Sequence, residues 1–392
     1  MTYDKTFPVN AQFIDTFYPT IDGVVRAVDN YARIMNKYSY SCVVTPGAAG
    51  EYADDFPYDV VRAKSVTMPL REYRLAVPGI TDGLESFLDS RPFQLFHAHS
   101  PFTMGRYALR QARRLGIPIV ASFHSKYYDD IMDLFHSPLV AEAAVKEIVK
   151  FYENVDAVWA CSEGTADTLR DYGYRGGITV MDNGTDYSYP DLPEVLKTAA
   201  AEKFDIPNGR TVLLFVGHQV WQKNIRMVLD TAAELRDRGF VFTLLMVGSG
   251  YSESSIRSYA SRLGLEGDYV RFLGKVSDTD TMKGLYLSSD LFFFPSIYDN
   301  APLVVREAAA MGTPSLLVRG SNAAEKVADG VNGFLTEESS AAAADRILAV
   351  FAAPGLAVLA GEQARLTLCR PWEDILSSVA DKYAEVLSGY YE

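Results

Sequence analysis

The chain has 392 residues, which is too long for one ordinary hydrophobic core and fits two domains of typical size. Its 48% apolar and 22% charged residues are typical of a folded globular protein and exclude a disordered chain. The formal net charge of -13 argues against nucleic-acid binding, which normally uses a basic domain, so no nucleic-acid partner is expected.

Short apolar runs alternate with amphipathic stretches over the whole sequence. The first series predicts buried strands at 11–15, 41–45, 95–97, 117–122 and 157–160, with helices at 24–37 and 104–115. The second series predicts strands at 211–216, 242–247, 270–273, 291–294 and 315–318, with an Ala-rich helix at 339–353. Strands and helices that alternate in this way indicate parallel sheets covered by helices.

A polar, Pro-containing segment at 186–210 separates the two series. We therefore predict an α/β protein with two doubly wound, Rossmann-like domains that face a central cleft, with ligands at the carboxyl ends of the strands. The predicted borders are 1–190 for the N-terminal domain, 191–370 for the C-terminal domain and 371–392 for a helix that returns to the N-terminal domain.

Targeting signals are not apparent in the sequence. Its start lacks a basic segment followed by an apolar one, and no apolar run reaches the roughly 18 residues of a membrane span. The three cysteines, Cys42, Cys161 and Cys369, lie far apart, which favours reduced thiols over a disulfide framework or a zinc site. A cytoplasmic location is expected.

Because the chain is acidic as a whole, it could bind an anionic diphosphate only through local features, such as helix N-termini and individual cationic side chains. The first such helix start contains Asp22, which can cap the helix, and Gly23, which lets a ligand approach the backbone. A plain capped turn explains these two residues equally well.

The second helix start contains Gly217, His218 and Lys223, directly after the strand at 211–216. Cations avoid the N-terminus of a helix unless an anion is bound there as well. We therefore favour a phosphate contact for Lys223 over a solvated surface lysine.

The third helix start is the most informative. Pro302 suits the first helical position, so the exposed N–H donors begin at Leu303 and Val304. Glu307 lies four residues after Leu303, on the same helix face and one turn deeper, where ribose hydroxyls attached to a bound phosphate would lie. Asp299, just before the helix, would face the other side of the phosphate. A helix-face carboxylate in this apolar run would otherwise need a protein partner.

These segments, in this order, resemble the retaining glycosyltransferases of family 4, which have the two-domain GT-B architecture, and the resemblance covers nearly the whole chain. The matching motifs are Gly23, His97-Ala-His99, Phe123-His124, Asp182-Asn-Gly-Thr-Asp186, Gly217-His218 with Lys223, Gly248-Ser-Gly250, Phe272-Leu-Gly-Lys-Val276, and the acids Asp299 and Glu307. Three positions depart from the family pattern: Asp299 stands for a Glu, His218 for an Arg and Pro302 for a Gly.

The resemblance implies an enzyme that moves a hexose from a nucleotide diphosphate sugar, preferably a UDP-sugar, to a lipid or glycan hydroxyl with retention of configuration. It implies catalytic roles for His124, Lys223 and Asp299. The donor-binding residues that it implies are Gly23, Gly217, His218, Lys223, Gly248, Val276, Asp299, Asn300, Ala301, Leu303, Val304 and Glu307. The N-terminal domain is the expected acceptor domain. From their positions at strand ends, a functional role is favoured for His99, as an acceptor contact, and for His124, and a structural role for His97. Lys126 and Tyr127, which follow His124, could contact the acceptor or only cover the surface.

No metal ion and no other cofactor are expected, because no Asp-x-Asp arrangement stands at a strand end and helix amides with Lys223 can stabilise a leaving diphosphate. Two other classes stay open. An epimerase or phosphorylase of similar fold would bind a related donor, although a glycogen-type phosphorylase needs a much longer chain, and a two-lobed solute-binding protein would need an export signal.

The acceptor is the least determined element. The segments at 100–102 and 123–129 resemble the family branch that glucosylates diacylglycerol. Arg106, Arg110, Arg113 and Arg114 recur at helical spacing and could bind an anionic membrane surface, placing the protein on the inner face of the membrane. A solvated helix face explains the same spacing.

Overall fold

The computed structural model describes residues 7–48, 50, 52–67 and 74–392. The chain forms two compact units, the first made of residues up to 183 together with 372–392, and the second of residues 184–371. The segment at 184–190, expected in the first domain, packs with the second unit. There the backbone N–H of Thr185 donates to the Arg370 carbonyl at 2.9 Å, and Tyr187 joins the hydrophobic core.

The first unit is built on a parallel sheet. Its strands are β1 (Asn10–Phe13), β2 (Ser41–Pro46), β3 (Val60–Ala63), β6 (Leu95–Ala98), β7 (Ile119–Phe123), β8 (Ala157–Ala160) and β9 (Ile178–Val180), with β4 (Ser65–Thr67) and β5 (Arg74–Ala76) as a separate antiparallel pair. The order across the sheet is β3-β2-β1-β6-β7-β8-β9. The covering helices are α1 (Gly23–Met35), α2 (Leu84–Asp89), α3 (Thr103–Leu115), α4 (Tyr127–Phe135), α5 (Pro138–Tyr152) and α6 (Glu163–Asp171), joined by α14 (Trp372–Tyr391) from the end of the chain.

The second unit repeats this plan. Its strands are β10 (Thr211–Val216), β11 (Phe242–Val247), β12 (Val270–Gly274), β13 (Leu291–Phe293), β14 (Ser315–Val318) and β15 (Phe334–Thr336), in the order β12-β11-β10-β13-β14-β15. Its helices are α7 (Pro193–Lys203), α8 (Ile225–Asp237), α9 (Glu253–Arg262), α10 (Thr279–Leu287), α11 (Leu303–Ala310), α12 (Ser340–Ala352) and α13 (Leu356–Thr367). The predicted pair of doubly wound α/β folds is confirmed.

Helix α14 joins the first unit through buried aromatic and polar contacts. The Tyr383 ring stacks on Trp159 with 5.2 Å between the ring centroids. The Tyr383 hydroxyl lies 2.7 Å from His97 Nδ1 and accepts a longer hydrogen bond, 3.4 Å, from Gln12 Nε2. Trp372 packs against Tyr31 at the other end of the helix. The hydroxyl of Tyr383 thus satisfies two buried polar side chains that the sheet presents to α14.

Tyr383→Phe should lower the free energy of unfolding of the first unit by about 1–3 kcal/mol, because it leaves buried polar groups without a partner. Urea unfolding followed by tryptophan fluorescence would measure the change, since Trp159 stacks on this ring. Tyr391→Phe is the matched control: the same change on the same helix, at a side chain that is 63% exposed, should move stability by less than about 0.5 kcal/mol. Equal stability of the two variants would contradict this account of how α14 is held.

Candidate active site

The loops that follow β10, β11 and β13 meet at one edge of the second sheet, because these three parallel strands are neighbours and their carboxyl ends point the same way. Two of the loops touch through their backbones. A Cβ atom on Gly248, whose φ is 126°, would lie 1.9 Å from the Gly217 carbonyl oxygen. Glycine at 248 is therefore required by this close approach, whether or not the residue also contacts a nucleotide.

Lys223 lies in a 3-10 turn, Trp221–Lys223, two residues before α8 begins. Asn224 ends the turn in the left-handed conformation, with φ of 55°, and its side-chain amide donates to the Pro295 carbonyl at 3.2 Å. This bond ties the turn to the loop after β13. It brings the Lys223 ammonium against the Asp299 carboxylate as an ion pair, with both side chains mostly buried.

Asp299 is held from two sides. One carboxylate oxygen contacts Lys223, and the other accepts a hydrogen bond from the buried Ser296 hydroxyl at 2.5 Å. The ammonium of a lysine has three donors, so Lys223 can bond Asp299 and an anion at the same time. The structure therefore brings the two predicted catalytic residues of the second domain into direct contact.

Helix α11 starts one residue later than predicted. Pro302 is extended, with ψ of 124°, and serves as the N-cap, so Leu303 is the first helical residue. The N–H groups of Leu303 and Val304 lie in the first turn, where a helix offers no acceptor of its own. These are the donors that the sequence predicts for a bound phosphate.

Glu307 is buried on α11 and accepts a hydrogen bond from the Tyr286 hydroxyl at 3.0 Å. Tyr286 is itself fully buried and was not anticipated from the sequence. It supplies the protein partner that a carboxylate in this apolar run needs. The bond also fixes the orientation of the carboxylate, and ribose binding by Glu307 stays a prediction.

The remaining donor candidates of the second unit are spread over its loops. His218 is exposed and Val276 is half-buried against the core. Asn300 is buried and its side-chain oxygen accepts from the Asn322 amide at 2.9 Å, while Ala301 lies beside it at half exposure. Their contacts with a nucleotide sugar stay predictions.

In the first unit, Gly23 is the exposed first residue of α1, and Asp22 caps the helix by accepting from the Val25 N–H at 2.8 Å. A Cβ atom on Gly23 would meet nothing within 4 Å. The fold itself therefore does not require glycine here, and ligand contact at Gly23 stays a prediction.

His97, His99 and His124 form a stacked group in the first unit. The ring centroids of His97 and His99 are 4.1 Å apart, and those of His99 and His124 are 5.5 Å apart. His97 bonds the hydroxyls of Tyr383 and Ser122, which is the structural role expected for it. His124 is partly exposed at the end of β7.

Two expected acceptor contacts need correction. His99 is buried, with one ring nitrogen 2.8 Å from Gln12 Oε1 and the other 3.2 Å from His124 Nε2, so its ring does not reach a substrate. Tyr127 is also buried, because the first turn of α4 folds its ring onto Phe102 and Phe123. Lys126, half-buried just before α4, stays an acceptor candidate.

The arginine stripe of α3 is largely engaged within the protein. Arg113 pairs with Asp156 at 2.9 Å, and Arg114 pairs with Asp89 at 2.7 Å. Arg106 donates to the Pro101 and Glu147 carbonyls, and Arg110 lies over the Tyr107 ring. Half of the four charges are thus neutralised by aspartates, which weakens the stripe as a surface for anionic lipid.

Within the described ranges, no three or more His, Cys, Asp or Glu side chains are grouped so that they could hold a metal ion. Over the same residues, no single helix is long and apolar enough to cross a membrane. Helices α12 and α13 meet that test only as a pair, and the chain bends by 100° between them.

Several residues of these sites were missed from the sequence. Asn10 and Gln12 lie one residue apart on β1, and the register places Gln12 beside His97 on β6. Polar residues at alternate positions of an otherwise apolar strand were the available signal, the same one that drew attention to His97 and His99. Asn224, Ser296 and Tyr286 carried no comparable signal, because their roles come from contacts made by folding.

Two family models match the chain: Glycosyltransferase Family 4 over residues 21–189 and Glycosyl transferases group 1 over residues 197–367. The alpha-monoglucosyldiacylglycerol synthase of Streptococcus pneumoniae is 26% identical over 77% of this chain and 69% of that protein. The GDP-mannose-dependent alpha-mannosyltransferase of Corynebacterium glutamicum is 23% identical over 95% of this chain and 88% of that protein.

Among solved structures, that of Anabaena HepE in complex with UDP-glucose superposes with a TM-score of 0.75 at 18% identity, over 96% of this chain and 99% of that chain. At this identity the likeness shows the fold alone, which is the GT-B fold expected from the sequence.

The buried histidines make stability depend on pH. Burial lowers the pKa of His97 and His99, and lowers the pKa of His124 to about 4. The unfolded chain, with histidine pKa values of about 6.5, binds protons there that the folded chain does not. The free energy of unfolding should therefore fall as the pH drops below about 6.5, by up to about 1.4 kcal/mol per pH unit for each histidine.

Urea unfolding at about pH 7 and about pH 5 would measure this loss. In His99→Phe the loss should shrink by about one third, because one of the three groups no longer titrates. A free energy of unfolding that is the same at both pH values would contradict the neutral, buried state of the histidines.

Proposed function

The chain belongs to family 4 of the glycosyltransferases, whose models together match most of its length, and we propose that it moves a hexose from a UDP-sugar to a lipid hydroxyl, with retention of configuration and without a metal ion. Membership of a transferase family sets aside the epimerase, phosphorylase and solute-binding alternatives. One observation carries the donor assignment: Lys223, Asp299 and the first turn of α11 meet beside one another in the second unit.

The diphosphate is held by two kinds of donor in this proposal. The N–H groups of Leu303 and Val304 point out of the first turn of α11, where the helix dipole favours an anion. Lys223 adds a full positive charge, which the Asn224 bond to Pro295 keeps at this position. Together they stabilise the negative charge that develops on the leaving diphosphate, which is where a transferase needs stabilisation most.

The sugar and the nucleoside lie on opposite sides of the diphosphate. Glu307, oriented by Tyr286, accepts hydrogen bonds from the ribose hydroxyls. Asp299, fixed by Ser296, accepts one from the transferred sugar. The acceptor hydroxyl attacks from the side of the leaving group, and a phosphate oxygen takes its proton, so that configuration at the anomeric carbon is retained.

UDP is the nucleotide that we propose, supported by the structure of HepE with UDP-glucose. The relative that uses GDP-mannose is the reason to test both nucleotides side by side. Thermal stabilisation by UDP that exceeds stabilisation by GDP is the expected result.

Lys223→Ala should lower turnover by about 10²- to 10³-fold, as loss of one electrostatic stabiliser does. Glu307→Gln should weaken the binding of UDP and of the intact donor alike, because both contain ribose. Asp299→Asn should spare UDP affinity and lower transfer, because only the donor carries the sugar. Calorimetry with UDP and steady-state kinetics with the donor would measure these effects.

Lys275→Ala is the matched control, since Lys275 is exposed in the same unit. Near-normal turnover in Lys223→Ala, or equal loss of UDP affinity in the two carboxylate variants, would contradict the division of roles. Each assay is repeated after exhaustive chelation, and activity that is lost and then restored by magnesium or manganese would contradict metal independence.

A lipid acceptor is supported by the diacylglycerol-glucosylating relative and by an apolar tip on the first unit. Phe135, the last residue of α4, and Leu139 and Val140, in the first turn of α5, are exposed, and the Leu139 side chain is 79% exposed. Burial of such side chains in a bilayer interface stabilises attachment by about 1.5–3 kcal/mol each, independently of lipid charge. This apolar tip, unlike the neutralised arginines, offers the strongly acidic chain a way to reach a lipid surface.

Leu139→Ser combined with Phe135→Ser should lower co-sedimentation with lipid vesicles and transfer to diacylglycerol in vesicles, while transfer to a short-chain, water-soluble diacylglycerol stays unchanged. The control replaces Arg106, Arg110, Arg113 and Arg114 with glutamine and should leave vesicle binding at low and high salt nearly as it was. Binding lost only in the arginine variant would favour charge-driven attachment. Transfer to soluble glycans alone would overturn the lipid acceptor.

A further inference from the structure

The 3-10 turn that carries Lys223, Trp221–Lys223, is held by side chains at both of its ends. At the end that follows Lys223, the Asn224 amide donates to the Pro295 carbonyl. At the other end, the indole Nε1 of Trp221 donates to Ser255 Oγ at 3.1 Å, in the first turn of α9. The turn is therefore tied to the loop after β13 on one side and to the helix after β11 on the other.

The hydrogen bond from Trp221 to Ser255 has a fixed direction. An indole nitrogen can only donate, so Ser255 Oγ accepts. The hydroxyl hydrogen of Ser255 is also used, because it donates to the Ser252 carbonyl at 2.8 Å. Alanine at position 255 would therefore remove the acceptor of the indole and leave a residue that favours the helix.

The indole of Trp221 is packed between α8 and α9. Its ring meets the Tyr259 ring edge-on, with 5.9 Å between the ring centroids. The Arg226 guanidinium lies over both rings, 5.1 Å from the centroid of Trp221 and 4.7 Å from that of Tyr259. Tyr259 is itself fixed, since its hydroxyl donates to Asp230 at 2.6 Å. The indole thus has a defined position as well as a defined hydrogen bond.

The backbone that leads into the turn is fixed against the same loop. The Gln219 N–H donates to the Ser249 carbonyl at 3.1 Å, and the Ser252 N–H donates to the Gln219 carbonyl at 3.2 Å. Lys223 lies two residues after Trp221 in the same turn. A displacement of the indole would therefore also displace the point from which the lysine side chain starts.

The start of the Lys223 side chain matters because a lysine has a flexible four-carbon stem. In the structure the ion pair with Asp299 fixes the ammonium end of this stem. In the proposed function Asp299 also binds the transferred sugar, so it is shared between two partners. A fixed turn then keeps the ammonium close to the diphosphate while Asp299 is engaged.

We propose that Trp221 and Ser255 are positioning residues for Lys223, and that the hydrogen bond between them holds the turn so that the ammonium meets the diphosphate of the donor. The identity of the ligand rests on the proposed function, whereas the position of Lys223 does not. The packing of Trp221 against the hydrophobic core is a second, purely structural role, and the experiments separate the two.

The position of Lys223 can be measured without a nucleotide. Limited acetylation with acetic anhydride, followed by mass spectrometry of the peptide, gives the reaction rate of this amine. The Lys223 side chain is 17% exposed and paired, so it should react slowly in the wild type. Ser255→Ala and Trp221→Phe should each raise the rate by about fivefold, the value of one neutral hydrogen bond. Unchanged rates in both variants would overturn the proposal.

A double variant tests whether the two residues act through one bond. Trp221→Phe combined with Ser255→Ala should react no faster than either single variant, because each change removes the same hydrogen bond. Additive effects would mean that the residues act separately, which would also overturn the proposal.

The effect on the diphosphate is measured by calorimetry as the ratio between the affinities for UDP and for UMP, which reports the second phosphate. Lys223→Ala should lower this ratio, and Ser255→Ala should lower it by about fivefold. In the Lys223→Ala background, Ser255→Ala should have no further effect, because it acts only through the lysine. A further loss in that background would contradict a positioning role.

Ser258→Ala is the matched control. Ser258 is an exposed residue one turn further along α9, where its hydroxyl donates to the Ser254 carbonyl at 2.9 Å. The control should keep the wild-type acetylation rate and the wild-type affinity ratio, and an equal change in it would show a general loosening of α9 and overturn the proposal. A ratio that Lys223→Ala leaves unchanged would count against the proposed function, and the acetylation rates would still decide whether Trp221 positions Lys223.

Discussion

The first unit depends on two neutral imidazoles buried side by side. Two like charges about 4 Å apart would repel by about 4 kcal/mol even at an effective dielectric constant of 20, so the stacked rings of His97 and His99 cannot both be charged. Burial lowers the pKa of each ring as well, which favours the neutral form of both. Each neutral ring can donate with one nitrogen and accept with the other. His97 uses this capacity to bind α14 through Tyr383, and His99 uses it to connect Gln12 to His124. The neutral state of the two rings therefore allows both the contact between the sheet and α14 and the hydrogen bond between His99 and His124.

The second unit brings a cation, Lys223, close to the N-terminal amides of α11, although the chain has a net charge of -13. Close backbone contact between Gly217 and Gly248 brings two loops together, and the left-handed Asn224 turns Lys223 toward the loop before α11. The Asp299 carboxylate then holds the ammonium at that point. In the proposed function, this local arrangement is what lets an acidic protein bind the leaving diphosphate.

Much of the fold could be predicted from the sequence, because buried strands and helices have apolar residues in recognisable runs or at regular intervals. The strand at 157–160 and those at 211–216, 242–247 and 315–318 were predicted with the observed bounds, since each is a mainly apolar run. Strands β3, β9 and β15 were missed because they have only three or four residues each, too few for an apolar run to stand out, and β3 and β9 are mostly half-buried.

The errors at the site have the same origin. His99 directly follows β6 and Tyr127 is the first residue of α4, and no local pattern tells whether a side chain at such a position turns toward solvent or into the core. Contacts between residues far apart in the sequence, such as Lys223 with Asp299 or Gln12 with Tyr383, produce no periodic pattern in the sequence. The buried polar positions of β1 were the exception, because they alternate with Ala11 and Phe13 as a strand requires.

The position of α14 has a consequence for how the protein is made. The first unit is discontinuous: its sheet comes from the beginning of the chain and its closing helix follows the whole second unit. During synthesis the ribosome releases the complete second unit, 184–371, before the Tyr383 hydroxyl and Trp372 reach His97 and Tyr31. The first unit, although its sheet is translated first, therefore stays incomplete until α14 has been made. Until then Gln12 and His97 lack the Tyr383 hydroxyl that hydrogen-bonds to both of them in the folded protein.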